Sequence, residues 1–187
     1  MKKLIALSLV PLLFGCLSAS SPRVSQWLLE YKGPVRATRL AKYEVGRVSQ
    51  VTVRSPYNEV GIAVLRADGS MAFDPYNEYA ANPTAMLKGF VFDAMDASGL
   101  FGSVVNSSSS VKSQAMSEIM VTRLALDCRK EGERKAVASV RVRLIANDGK
   151  ALHAQGEGES DAKDGNYGVA LSDALSVALN SAFGQFR

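Results

Sequence analysis

Few residues in this chain have the type and spacing to do chemistry, and each lacks the partners that the chemistry needs. Ser109-Ser110-Val111-Lys112 matches Ser-x-x-Lys, the spacing that joins a serine nucleophile to a lysine in penicillin-interacting enzymes. It falls in a serine-rich run (NSSSS, 106–110) rather than at a helix start, and the companion Ser-Asp-Asn and Lys-Thr-Gly motifs are missing. His153 is the single histidine. A Ser-His-Asp triad or a histidine metal site would need it in a cleft with partners, but its strand register puts it on a solvated face beside arginines. Asp161, Asp164 and Asn166 offer oxygen ligands of the calcium type, yet their spacing is not that of an EF-hand loop, and 159–166 reads as a solvated polar connection. No G-x-S-x-G elbow, P-loop or G-x-G-x-x-G occurs. The sequence reads as a non-enzyme without cofactor or metal site.

Cys16 has the strongest chemical context. Lys2 and Lys3 precede an apolar run over 4–14 that is too short to cross a bilayer, then Gly15, then the cysteine. A basic start, a short apolar middle and a small-residue junction mark a secretory signal peptide. With the cysteine directly after it, Leu13-Phe14-Gly15-Cys16 resembles the lipobox of bacterial lipoproteins. That resemblance implies cleavage after residue 15, with Cys16 diacylated on sulfur and acylated on nitrogen by palmitate-type chains. Two or more acyl chains anchor stably where one does not. Residues 1–15 are then the signal, 16–23 a lipidated N-terminus and polar tether, and 24–187 one domain. The formal charge of +4 falls to +2 when Lys2 and Lys3 leave, with 20 basic against 18 acidic residues. That balance gives no nucleic-acid face. With Cys16 lipidated, Cys128 has no partner in the chain and reads as a small buried hydrophobe.

The remaining segments supply the elements that position these groups. Residues 24–31 (VSQWLLEY) read as a strand that Gly33-Pro34 breaks. Segment 35–47 carries Arg36, Arg39, Lys42 and Arg47 against Glu44 alone; Arg36, Arg39 and Lys42 are candidates for contact with anionic headgroups, with a solvated loop as the plainer reading. A strand over 48–54 ends at Ser55-Pro56-Tyr57-Asn58, and Ala67-Asp68-Gly69 turns a hairpin between 61–66 and 70–73. A helix starts at Asn82-Pro83 and stops at Gly99, with Leu87, Phe90, Val91, Ala94 and Ser98 on its apolar stripe. Phe92 projects off that stripe, and with Tyr76 and Tyr79 it is a candidate partner contact. In strand 118–128, Met120, Leu124, Leu126 and Cys128 are expected to share a face.

Residues 136–146 put Ala136, Ala138, Val140, Val142, Leu144 and Ala146 on one face. A three-residue turn at Asn147-Asp148-Gly149 sets Leu144 opposite Leu152 and Val142 opposite Ala154. A two-residue turn would slip the register by one and send every core side chain outward. His153 then lies beside Arg143, Gln155 beside Arg141 and Glu157 beside Ser139. A last helix over 167–183 has Leu171, Ala174, Leu175, Ala178, Ala182 and Phe183 as its stripe, with Asp173, Ser176 and Asn180 opposite. The order predicts an α+β domain in which two amphipathic helices cover a mainly antiparallel sheet.

In this order the elements resemble the ABC-type transport auxiliary lipoprotein family, the paraquat-inducible protein C-like lipoproteins. The resemblance rests on the lipobox, Gln26-Trp27-Leu28-Leu29, Ser55-Pro56-Tyr57 before the hairpin, Ser98-Gly99-Leu100-Phe101 after the first helix, the Asn147-Asp148-Gly149 hairpin and the last helix. Tyr79 or Tyr76 occupies the place of a tryptophan usual before the first helix. The resemblance implies a lipid-anchored, periplasm-facing accessory of a transport system in which an ATP-binding cassette transporter works with an MCE (mammalian cell entry) domain protein. The partner would be that MCE-domain protein, docked at the outer membrane, and some relatives assemble as homo-oligomeric rings. Leu17, with no aspartate after the cysteine, fits outer-membrane sorting. The alternative is an envelope lipoprotein that regulates or scaffolds a cell-wall enzyme.

Overall fold

The computed structural model describes residues 23–33, 41–163 and 165–186. The signal sequence, Cys16 and its tether, Arg36, Arg39 and Asp164 lie outside the described residues. The elements run β1 (Ser25–Trp27), β2 (Tyr43–Val53), β3 (Gly61–Arg66), β4 (Met71–Tyr79), α1 (Pro83–Ala97), β5 (Phe101–Val105), β6 (Ala115–Cys128), β7 (Lys135–Ala146), β8 (Ala151–Asp161) and α2 (Tyr167–Gly184).

The β7–β8 hairpin forms in the register that core matching demands. Leu144 faces Leu152, Val142 faces Ala154 and Arg143 faces His153. Gly149 takes the positive φ of 82° that a three-residue loop needs at its last position. β6 pairs with β7 along nearly its whole length. The other edge of β6 is divided: its first half runs parallel to β2 and its last three residues run parallel to β3. β5 extends the sheet beyond β2, while β4 and then β1 extend it beyond β3.

The result is an α+β fold with an eight-stranded mixed sheet among the described residues. Four of the seven strand pairings are parallel: β1–β4, β2–β5, β2–β6 and β3–β6. This corrects the expectation of a mainly antiparallel sheet. Hairpins announce themselves through a turn between neighbouring strands, whereas parallel partners need a long crossover with no local signal.

β6 corrects a second expectation. Its register shifts between Val121 and Arg123, and the extra residue reverses the side-chain alternation. Ile119 and Val121 are buried before the bulge, Leu124 and Leu126 after it, and Met120 is left on the outer face.

Both helices pack on one face of the sheet, α1 over β2 and β5, α2 over β6, β7 and β8. The Asn82 side chain accepts the Thr84 backbone N–H at 2.9 Å, and Gly99 closes the end of α1 with a φ of 68°. Leu87, Phe90, Val91, Ala94 and Met95 of α1 and Leu171, Ala174, Leu175, Ala178, Leu179 and Phe183 of α2 complete the core. Gly156 and Gly158 of β8 face α2, where they let its backbone approach the strand.

Only 25–27 of the strand expected over 24–31 pairs in the sheet. The residues after it lie along α2 instead. The Glu30 N–H donates to Ser172 Oγ at 3.1 Å, the Lys32 N–H to Ser176 Oγ at 3.3 Å, and the Tyr31 hydroxyl to Asn180 Oδ1 at 2.9 Å. Each serine hydroxyl also donates within the helix, to Gly168 O and Ser172 O respectively. Ser176 is therefore buried rather than on a solvated back of the helix.

Tyr79 is 1% exposed, and its hydroxyl has no hydrogen-bond partner among the described residues. Burial pushes its phenol well above its ordinary value, so the folded chain keeps it neutral where the unfolded chain ionises, above about pH 10. Stability tied to that difference is present below pH 10 and is lost as pH rises beyond it. Tyr79→Phe removes an unsatisfied buried group and is expected to hold or raise stability by up to about 1 kcal/mol. It should also flatten the alkaline fall in melting temperature between pH 9 and 11. Thermal melts of both proteins across that range check this, and a variant melting well below the parent at pH 7 would contradict it.

Candidate functional site: the uncovered face of the sheet

On the face away from the helices, one end of the sheet is closed. Ala63, Ala125 and Val137 are buried there under Tyr57, Leu65 and Met71. The other end is open, and strand register lines its side chains in two rows. Gln50 of β2 pairs with Glu118, Glu118 with Arg143, and Arg143 with His153. In the next row Thr52 pairs with Met120, Met120 with Arg141, and Arg141 with Gln155. Together they line a groove of about 320 Å³, at the small end of the range for ligand sites.

The charges in and beside the groove are unequally satisfied. Arg143 pairs with Glu118 at 3.2 Å, and Arg123 pairs with Glu157 at 3.9 Å. Arg141 lies between these pairs and has no carboxylate within ion-pair distance among the described residues. Met120 is 42% exposed and gives the groove a soft apolar patch.

The other predicted residues scatter. Tyr76 is 53% exposed, Tyr79 is core, and Phe92 is partly buried against the main core, so these three form no common docking surface. Lys42 donates its ammonium to the Phe186 carbonyl at 2.9 Å, tying the start of β2 to the end of α2. Arg47 donates to the carbonyls of Asn106 at 3.1 Å, Ser107 at 3.3 Å and Ser109 at 2.8 Å, and also to Val111 O. It thereby shapes the serine-rich loop. Within that loop the Ser109 hydroxyl accepts the Val111 N–H at 3.2 Å, and no lysine amine among the described residues bonds to it. Asp161 accepts the Lys163 N–H at 3.2 Å and pairs with the Lys163 ammonium at 3.5 Å. Among the described residues no group of three or more potential metal ligands gathers. Cys128 is a free, half-buried thiol at the end of β6.

His153 sits where the hairpin register put it, exposed and next to Arg143. Sequence reasoning also paired Arg141 with Gln155 but missed Gln50, Thr52, Glu118 and Met120. Nothing local to 48–54 indicated that β2 would lie beside β6.

Of three comparisons with known proteins, one finds similar structures. No family model matches the chain, and no curated protein matches it. Protein XCC0632 from Xanthomonas campestris, described under the family model DUF330, is 15% identical with a TM-score of 0.59, covering 87% of this chain and 98% of its own. A second structure, described only as an uncharacterized protein, is 15% identical with a TM-score of 0.60, covering 85% of this chain and 96% of its own. The PelC dodecamer from Paraburkholderia phytofirmans is 16% identical with a TM-score of 0.42, covering 80% of this chain and 94% of its own. These findings correct the family resemblance drawn from the sequence, since XCC0632 is described under DUF330 and the second structure as uncharacterized, neither as an ABC-type transport auxiliary lipoprotein. At this identity XCC0632 and the second structure share a fold with the chain.

Proposed function

We propose that this chain is a lipid-anchored, non-catalytic envelope protein. In this reading acyl chains on Cys16 hold it at the outer membrane facing the periplasm. The folded domain serves as an accessory to ABC/MCE-type transport machinery by docking the MCE-domain protein. The lipobox over 13–16 carries the reading. Among the described residues no helix is long and apolar enough to span a bilayer; in this reading the anchor is the lipid on Cys16. The seven peptide steps from Cys16 to Arg23 reach at most about 25 Å, which would keep the domain beside the headgroups. The uncovered sheet face leaves room for a partner on the side opposite the helices.

Cys16→Ser is expected to stop processing and to move the chain out of the membrane fraction. Fractionation and intact mass of the N-terminal peptide read both effects. Unchanged cleavage and membrane retention would overturn the lipoprotein reading. Crosslinking in cells from Tyr76 and Gln155 reads the partner. An MCE-domain protein is expected, and a peptidoglycan synthase recovered in its place would replace transport with the scaffolding of a cell-wall enzyme.

A further inference from the structure

The open groove holds more hydrogen-bond donors than the fold uses. Gln50, Thr52, Arg141, His153 and Gln155 come from three strands, β2, β7 and β8, and none of their side chains has a hydrogen-bond or ionic partner among the described residues. Neighbouring charged side chains are matched: Arg143 with Glu118 within the groove, and Arg123 with Glu157 and Lys135 with Glu159 beyond it. The carboxylates nearest Arg141 in register are Glu118 and Glu157, and each is already engaged by another arginine.

Counting acceptors narrows the ligand. The one acidic side chain in the groove, Glu118, is neutralised by Arg143, so the groove carries net positive charge. A guanidinium fork recognises planar pairs of anionic oxygens. The amide of Gln155 and the imidazole of His153 line the groove on β8, next to Arg141, and the amide of Gln50 and the hydroxyl of Thr52 line it two strands away on β2. Donors ranged along the groove beside a guanidinium can serve the third free oxygen of a tetrahedral anion, which a carboxylate lacks. Met120 provides an apolar contact for whatever the anion is attached to.

We propose that this groove is a binding site for a phosphate-bearing ligand, with Arg141 as its principal anchor and Gln155, Thr52, His153 and Gln50 as supporting donors. The proposal rests on the groove alone and is independent of the lipid anchor. A free phosphate monoester and a lipid headgroup present the same chemistry, and the test separates them.

The lipidated full-length protein, held in uncharged maltoside micelles, is titrated calorimetrically with four probes: inorganic phosphate, glycerol 3-phosphate, dihexanoyl phosphatidic acid and succinate. Saturable binding of at least one phosphate probe is expected. Binding of glycerol 3-phosphate as tight as that of the lipid identifies a soluble ester, and binding of the lipid alone identifies a headgroup. Arg141→Gln is expected to weaken the interaction about tenfold or more, as loss of a charge-assisted bidentate contact does. Arg129→Gln makes the same change in net charge outside the groove, in an arginine already paired with Asp127, and should leave the affinity within about twofold, as distant independent sites do. The proposal is overturned if no phosphate probe binds, if succinate binds as tightly as the phosphates, or if both variants lose affinity equally.

Discussion

Gly158→Val should cost at least about 3 kcal/mol, the upper end of what overpacking a core costs. A side chain at Gly158 would run into the Ala174 carbonyl oxygen, with the Ala178 nitrogen 2.8 Å away. At Gly156 it would run into the Ala178 carbonyl, with the Ala182 nitrogen 3.0 Å away. These obstacles are helix backbone, which cannot rotate aside as a long side chain can. The whole of α2 would have to lift, and Leu171, Leu175 and Phe183 would lose contacts with β6, β7 and β8 together. Because domains of this kind are stable by only about 5–15 kcal/mol, such a loss is a large fraction of the total. Gly89 supplies the contrast. It lies exposed within α1, and nothing stands within 4 Å of a side chain there. Gly89→Ala should stabilise by about 0.5–1 kcal/mol through helix propensity and unfolded-chain entropy. Urea denaturation of the two variants beside the parent reads both signs. A Gly158→Val midpoint matching the parent's would mean that α2 does not sit on β8 as described.

Phe101→Ala should be comparably severe, at about 3–5 kcal/mol for a large aromatic removed from a core. Phe101 is fully buried at the start of β5, and its ring stacks on Tyr43 of β2 with centroids 5.9 Å apart. The ring occupies the space above Gly46, where any side chain would collide with it. Among the described residues β5 pairs only with β2, at the edge of the sheet and under α1, and Phe101 is its one fully buried side chain. Beyond the global loss, amide hydrogen exchange across 101–105 should accelerate more than exchange in β7. Equal protection of both segments in the variant would show that β5 is secured in some other way.

These two positions show where the sequence is legible and where it is not. Gly156 and Gly158 interrupt an otherwise ordinary alternating strand, and only the arrival of α2 explains them. Phe101 reads as apolar in any window, but its importance comes from Gly46, some 55 residues earlier. The candidate site divides in the same way. Arg141, Arg143, His153 and Gln155 were legible as one outward face, because a hairpin's register follows from its turn and its core positions. Gln50 and Thr52 joined them through a parallel pairing that no turn encodes.

By itself the sequence determined the two helices, the caps of α1, the three-residue turn at 147–149 and the inward face of β7. All of these depend on residues within a few positions of one another, where periodicity and turn chemistry act directly. Tertiary structure decided that β6 would be shared by β2 and β3, that a bulge would turn Met120 outward, and that residues 28–32 would lie along α2 and bury its serines. It also decided that Arg47 and Lys42 would bind backbone carbonyls, and that Arg141 would have no ionic partner among the described residues. Each of those outcomes depends on which distant segment lands alongside, and that is settled by the packing of the whole chain.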